Sequence, residues 1–386
     1  MKSKAEILSD LCFFADGRTS VTDLNIDNYI STENMLPNKE GINRSAGLPT
    51  VSQTQAYQVG DVLVSNIRPY FRKIWQADRD GGCSNDVLVF RAKENCKPGF
   101  LYYLLFSNDF FDYATATTKG TKMPRGDKTA IMQYGVPDLP FDIQISIADT
   151  LSSLDSRITE NRKINNHLEQ MAQAIFKSWF VDFEPFGGVM PDDWKTGNLT
   201  DIADYLNGLA MQRFRPADGE AGLPVLKIKE LRQGMCDSSS EFCSPNIRSD
   251  YIVRDGDVIF SWSGSLLVDF WCGGDCGLNQ HLFKVSSHKY DKWFYYVWTC
   301  YHLIQFVAMA ADKATTMGHI KREALENAEV IIPDENSYRK IGGLLAPLYE
   351  QIINNRVESR RLSRLRDTLL PKLMTGEISV EEAYDE

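Results

Sequence analysis

The sequence predicts a mixed α/β (α+β) protein: two globular units and two long helices, with the whole pattern repeated once along the chain. Three observations lead there. A stretch from Ile143 to Glu184 is free of proline and glycine and carries apolar residues at spacings that alternate three and four. A second stretch near the C-terminus has the same alternation. Short blocks outside the helices recur at nearly the same interval.

The first seam runs through Leu151, Leu154, Ile158, Asn161, Asn165, Leu168, Ala172, Ile175 and Trp179. The second runs through Leu345, Leu348, Ile352, Asn355, Ser359, Leu362, Arg366, Leu369 and Leu373. Leu151 to Leu345 and Asn161 to Asn355 are both steps of 194 residues, so the seams are copies in one register. Such a seam is a coiled-coil face, and its asparagine lowers stability while fixing register. At 1.5 Å per residue the first helix spans on the order of 55 Å. A stripe that narrow needs a partner helix, and the chain supplies one.

The elements before each helix follow the same plan. Leu8-Ser9-Asp10-Leu11, followed by Gly17, resembles Leu199-Thr200-Asp201-Ile202, followed by Gly208. Gly60-Asp61-Val62-Leu63 recurs as Gly256-Asp257-Val258-Ile259, a turn entering a buried strand. The first unit has β-like runs at Tyr57 to Ile67 and Asp86 to Phe90, a helix from Phe100 to Phe111, and an irregular basic loop from Thr118 to Thr129. In the second unit the strands lie near Val253 to Trp262 and His281 to Val285. An aromatic helix from Trp293 to Ala310 follows, with Trp293 to Trp298 in the core, and then a loop from Thr315 to Arg322. Pro185-Phe186-Gly187-Gly188 and Pro191-Asp192-Asp193 form a breaker-rich hinge between the halves. The domains therefore read as 1–142, a spacer helix at 143–186, 187–336, and a spacer helix at 337–386.

With 386 residues, 43% hydrophobic and 24% charged, the chain is of ordinary globular composition. No apolar run nears the roughly 20 residues of a membrane helix. Met1-Lys2-Ser3-Lys4-Ala5-Glu6 lacks the apolar core of a signal peptide, so the expected compartment is the cytoplasm, with the eight cysteines reduced. Cys236, Cys243, Cys272 and Cys276 do not have zinc-site spacing, and no metal site is expected. The net charge of −10 argues against a free-standing nucleic-acid binder, though not against one whose partners share the contacts.

Common catalytic signatures are missing. There is no Gly-x-x-x-x-Gly-Lys-Ser/Thr, no Gly-x-Gly-x-x-Gly opening a helix, and no Asp/Asn-Pro-Pro-Tyr/Phe. Asp193-Trp194-Lys195 supplies only half of a nuclease-like acid-x-Lys pair. What stands out instead are basic clusters: Arg68, Tyr70, Arg72 and Lys73; Lys119, Lys122, Arg125 and Lys128; Arg213 and Arg215; Lys227, Lys229 and Arg232; and His319, Lys321 and Arg322. Each alone reads as a solvated face or as a set of DNA contacts. Their recurrence at matching places in both units favours the contacts, since Arg and Lys clamp phosphates and read guanine edges.

Assembled in this order, the chain resembles the specificity subunit of type I restriction–modification systems over essentially its whole length. The most specific segments are Met171-Ala-Gln-Ala-Ile-Phe-Lys-Ser-Trp-Phe-Val-Asp-Phe-Glu-Pro185 and Arg366-Asp-Thr-Leu-Leu-Pro-Lys-Leu-Met-Thr-Gly-Glu-Ile378. Asn207 to Pro216, Trp262-Ser-Gly-Ser265 and Leu278-Asn-Gln-His281 look like one of its recognition domains, which adds Trp262 to the candidate DNA contacts.

The resemblance implies two target-recognition domains, each reading half of a split, asymmetric double-stranded DNA sequence. It implies two antiparallel conserved helices, related by internal pseudo-two-fold symmetry, that set the gap and dock two modification (methyltransferase) subunits. Restriction (translocase) subunits would join that assembly. S-adenosylmethionine, ATP and Mg²⁺ would belong to those partners, leaving this chain without cofactor or catalysis. A strut of the estimated length suits readers about one DNA turn, roughly 34 Å, apart. The residues also fit a recognition subunit of another restriction class with a fused cleavage and methylation partner, and a coiled-coil adaptor that binds no DNA.

Overall fold

The computed structural model describes residues 6–312 and 320–384. His319 and the neighbouring loop residues 315–318 lie outside the described residues. The chain forms two compact units, Met1–Ser156 with Ser363–Glu386, and Arg157–Leu362. Each combines one globular module with parts of both long helices.

In the first unit an antiparallel sheet runs in the order Cys12–Phe14, Val87–Ala92, Val62–Ser65, Ile74–Gln76. A second sheet runs Arg18–Ser20, Gln53–Tyr57, Gly81–Cys83, Tyr29–Ile30, with its last pair parallel. The second unit repeats the first sheet as Asp204–Asn207, Leu282–Ser286, Val258–Ser261, Leu267–Phe270. Its other sheet runs Phe242–Cys243, Leu223–Leu226, Cys276–Leu278, Ile252–Val253. Gly81–Cys83 and Cys276–Leu278 hold the same inner place, each with one parallel and one antiparallel neighbour. Only the outermost strand differs in origin. The frame is constant and the insertions sit at its edge.

The repeated turn explains itself at atomic scale. Gly60 and Gly256 have φ of +90° and +85°, a conformation that favours glycine. The Asp61 carboxylate accepts from the Gln58 N–H and the Asp257 carboxylate from the Arg254 N–H, both at 2.8 Å. The strands that follow are covered on both faces, so they read as unbroken apolar runs. Val62 and Val64 enter a large core with Phe90, Phe100 and Leu151, while Leu63 enters a smaller one with Tyr57 and Cys83. Likewise Val258 and Phe260 join Trp293, Phe294 and Leu345, and Ile259 joins Trp271 and Cys276. The short blocks Leu8–Leu11 and Leu199–Ile202 are matching helical turns. Asp10 and Asp201 accept the N-cap N–H at 3.0 and 2.8 Å.

Four elements depart from the sequence expectation. The runs from Tyr57 to Ile67 and from Val253 to Trp262 are each two strands, because the Gly60 turn separates Tyr57 from Val62 and the Gly256 turn separates Val253 from Val258. The helix expected at Phe100 to Phe111 is two helices, Pro98–Phe106 and Asn108–Ala116. Ser107 breaks it by leaving helical geometry (ψ 150°) and accepting the Phe110 N–H at 3.2 Å. The basic loop ends in a helical turn, Lys128–Ile131, capped by Asp127.

The long helices span Phe141–Phe176 and Glu335–Thr375, and the first continues into a π-helical turn, Lys177–Val181. That turn carries Phe180 into the second unit's core. Within the second unit the helices are antiparallel: Asn161 meets Asn355 and Ser359, and Asn165 meets Ile352. Within the first, Asp155 pairs with Arg366, and Leu151 shares a core with Leu369 and Leu373. Leu151, Ile158, Asn161, Leu345, Ile352, Asn355 and Leu369 are buried, while Leu154, Leu168, Ile175, Leu348 and Leu362 are partly buried. Among the described residues, no helix is long and apolar enough to cross a membrane.

Candidate nucleic-acid interface

In the first unit, strand Val62–Ser65 runs out into Arg68–Lys73, and helix Asn108–Ala116 runs out into the loop that carries Lys119 and Arg125. Backbone bonds clasp these two segments. Gly126 N–H donates to Asn66 O at 3.2 Å and Arg68 N–H to Pro124 O at 2.8 Å. Gly126 packs closely there: a Cβ would lie 2.9 Å from Asn66 Oδ1 and 2.8 Å from Ile131 Cδ1 and would force those side-chain ends to shift. Two basic clusters distant in sequence thus become one surface.

The side chains on that surface divide into two groups. Arg72 bonds Asn108 at 3.0 Å and Asp112 at 3.1 Å, and the Lys73 ammonium donates to Thr32 O at 2.6 Å. Burial pushes the Lys73 ammonium below its usual range. Lys119 pairs with Asp127, and Arg125 with Asp86 at 2.9 Å. Exposed pairs of this kind contribute little to stability. Arg68 and Lys122 have no ion pair among the described residues. Tyr70 and Phe71 are exposed, with ring centroids 4.8 Å apart. Arg68 and Arg72 both have φ of +51°, and such strained non-glycine backbone clusters at ligand sites.

The second unit repeats the clasp. Ile320 N–H donates to Trp262 O at 3.0 Å, as Gly126 does to Asn66. Trp262, Lys321 and Arg322 thereby come together, with Lys321 and Arg322 exposed. Arg322 makes an i,i+4 contact with Glu326 at 3.6 Å. The Trp262 ring lies 5.6 Å from Phe283 and 6.3 Å from His281, and its Nε1–H donates to Asn207 Oδ1 at 3.1 Å. The remaining candidates gather elsewhere. Arg215 and Lys227 converge on Glu241, at 3.2 and 2.5 Å, and Lys229 pairs with Asp237 at 3.2 Å. The Ser239 hydroxyl, aided by its N–H, Lys229 and Gln233, holds the Asp237 carboxyl at about 2 against burial. Arg213 is exposed, two residues before Arg215 in the chain.

Beside each basic loop lies a cleft that sequence reading missed. One is lined by Phe14, Asp16, Arg18, Gln55 and Lys128 and encloses about 250 Å³; the other, of about 330 Å³, is lined by Tyr205, Asn207, Phe283 and Arg322. The signal was present in the repeat, since Asp16 and Asn207 immediately precede the matched glycines Gly17 and Gly208.

The helix pair carries its own polar network. Asn161 Nδ2 donates to Glu358 at 2.7 Å, Asn355 Nδ2 to Asn165 Oδ1 at 2.8 Å, and Gln351 Nε2 to Asn355 Oδ1 at 2.6 Å. The Asn161 and Arg157 hydrogen bonds hold the Glu358 carboxyl below its usual range. Arg356 ties the second helix to Asp269 at 2.6 Å, and Arg360 ties it to Asp255 at 2.6 and 2.7 Å. In the first unit Arg366 packs over Phe106 at 4.6 Å while pairing with Asp155. Trp194 of the nuclease-like triplet is core, and Lys195 opens a strand paired to Ile332. Among the described residues, no group of three His, Cys, Asp or Glu side chains could hold a metal ion.

The profile of a family described as "Type I restriction modification DNA specificity domain" matches this chain twice, at residues 8–170 and 191–360. The type I restriction enzyme MjaIX specificity subunit of Methanocaldococcus jannaschii is 29% identical over 308 residues, covering 75% of this chain and 71% of that protein. The HindI specificity subunit of Haemophilus influenzae is 21% identical over 433 residues, covering 91% and 94%. The crystal structure of a type I restriction–modification S subunit from M. genitalium superposes with a TM-score of 0.58 at 15% identity, covering 96% of each chain. That likeness extends the shared fold over both units.

Proposed function

Since the chain belongs to the type I restriction–modification DNA specificity family, we propose that it selects the DNA sequence on which a type I complex acts. The observation that carries this reading is the doubled clasp: two units of one frame, each holding a basic loop against the end of its central strand. Each unit reads one half of a split target, and because the inserted segments differ, the halves differ. Phosphates are held by Arg68, Lys122, Arg125 and Lys321, with Tyr70 and Trp262 placed against the bases or sugars.

The chain itself catalyses nothing. Methylation of adenine uses S-adenosylmethionine bound by modification subunits, and translocation and cleavage use ATP and Mg²⁺ bound by restriction subunits. Two modification subunits dock per chain, because the duplicated frame offers each contact twice. The complex works in the cytoplasm, where the target DNA is. Partner subunits also carry part of the phosphate contact that a chain of net charge −10 cannot make alone.

The test is a whole-genome methylation map from cells that express the chain with its neighbouring methyltransferase, against cells lacking the chain. Methyl-adenine at one split motif that vanishes with the chain supports the assignment and reads out the target. An unchanged map, with the complex still assembled, rejects it.

A further inference from the structure

The two clefts beside the basic loops are the same place in the fold. Asp16 lies two residues beyond the strand Cys12–Phe14 and Asn207 ends the equivalent strand Asp204–Asn207, and each precedes the equivalent glycine. Leu88 pairs with Val64, and Phe283 with Phe260, at equivalent positions of the central strand. Lys128 and Arg322 each stand two residues beyond the clasping N–H of Gly126 or Ile320. So Phe14 matches Tyr205, Asp16 matches Asn207, Leu88 matches Phe283, and Lys128 matches Arg322. An aromatic ring, a cation and a short polar side chain persist in both clefts although the surrounding sequences differ. The polar member changes from a carboxylate to an amide.

We propose that these clefts are the base-reading sites of the two units, an inference that rests on the DNA-specificity reading above. Asp16, Arg18 and Lys128 set what the first unit reads; Asn207 and Arg322 set what the second reads. Asp16 is an acceptor, while Arg18 and Lys128 are donors, and all three are exposed. In the major groove a C·G pair offers the cytosine N4 amine as donor and guanine O6 and N7 as acceptors, the complement of that set. Gln55 donates its amide to Ala15 O at 2.7 Å, which leaves its oxygen as a second acceptor. In the second cleft Asn207 Oδ1 is engaged by Trp262 Nε1–H at 3.1 Å, so its amide presents donors. The Arg322 guanidinium adds further donors that fit guanine O6 and N7, and the exposed Asp204 carboxylate on the same cleft wall supplies an acceptor. A backbone phosphate is the poorer occupant of the first cleft, because Asp16 would repel it.

The experiment uses the assembled complex with Asp16→Asn, Arg18→Gln or Asn207→Asp, read by genome methylation and by binding to duplexes carrying single base-pair changes. Asp16→Asn and Arg18→Gln are expected to relax discrimination at one base pair of one half-site by roughly tenfold to hundredfold, leaving the other half intact. Asn207→Asp is expected to change the other half alone. Wild-type discrimination in all three overturns the proposal. So does a uniform loss of affinity with unchanged preference, which would make the clefts phosphate sites. Arg18 is exposed at a strand start, so Arg18→Gln decides the matter if Asp16→Asn does not fold. Failure of the underlying reading looks different: the wild-type complex itself would show no motif that depends on this chain.

Discussion

Asn161, Asn165 and Asn355 are buried in the helix seam and bonded to one another's helices. A buried amide that loses its partner costs about 1–3 kcal/mol, whereas replacing both partners by apolar groups is close to neutral. Asn355→Leu strands the buried Asn165 Oδ1, so urea denaturation is expected to show a loss of about 1–3 kcal/mol. The double change Asn165→Leu with Asn355→Leu is expected to recover much of it; a single variant as stable as wild type would show the network to be idle. Asp255 gives a pH-dependent counterpart. Burial opposes its charge, but the Arg360 hydrogen bonds and the Gly274 N–H hold its carboxyl below the usual range. The folded value is depressed, so its contribution is full above about pH 4, the unfolded carboxylate range, and is lost as pH falls through the folded value. Asp255→Asn is expected to flatten the acid limb of the stability profile; an identical limb would remove Asp255 from the account. The seam asparagines were legible because a period of three and four marks them. The partners of Arg72 and Lys73 were not, because Asn108 lies 36 residues from Arg72 and Thr32 lies 41 residues from Lys73.

At the scale of elements, the long helices matter as a pair. Ile158 is 5% exposed in the seam, and a carboxylate there is unpaired and costs about 3 kcal/mol or more. Ile158→Asp is therefore expected to loosen the helix pair and broaden the range of gaps tolerated between half-sites, measured as methylation of targets with inserted or deleted spacer pairs. A folded variant with an unchanged spacer preference would deny the helices a ruler role. The helices, the glycine turns and the central strands were legible because each repeats a pattern that burial imposes. The break at Ser107 was hidden inside a continuous apolar run, where tertiary packing decides what periodicity leaves open. Strands as short as Tyr29–Ile30 or Phe242–Cys243 have no period to read. The clefts were hidden for a third reason: Arg18, Gln55 and Lys128 come from separate elements and meet only through sheet register.

For the whole molecule, duplication is the governing fact. The frame that recurs, with its capped turn, central strand, clasped loop and long helix, carries the cores. The parts that do not recur are edge strands and loop side chains, which can change without disturbing those cores. A fold organised this way separates stability from specificity, so a recognition unit can be replaced while the frame stays. This sets a test that a single continuous reader could not pass. Exchanging residues 1–142 for the corresponding part of a related protein leaves the chain from residue 143 onward in place and replaces the first clasp and cleft together. The exchanged chain, assembled with the same modification subunits, is expected to methylate a new split motif in which one half is altered and the other is retained base for base. If both halves change, the two units do not read independently, and the division of labour inferred from the repeat is wrong.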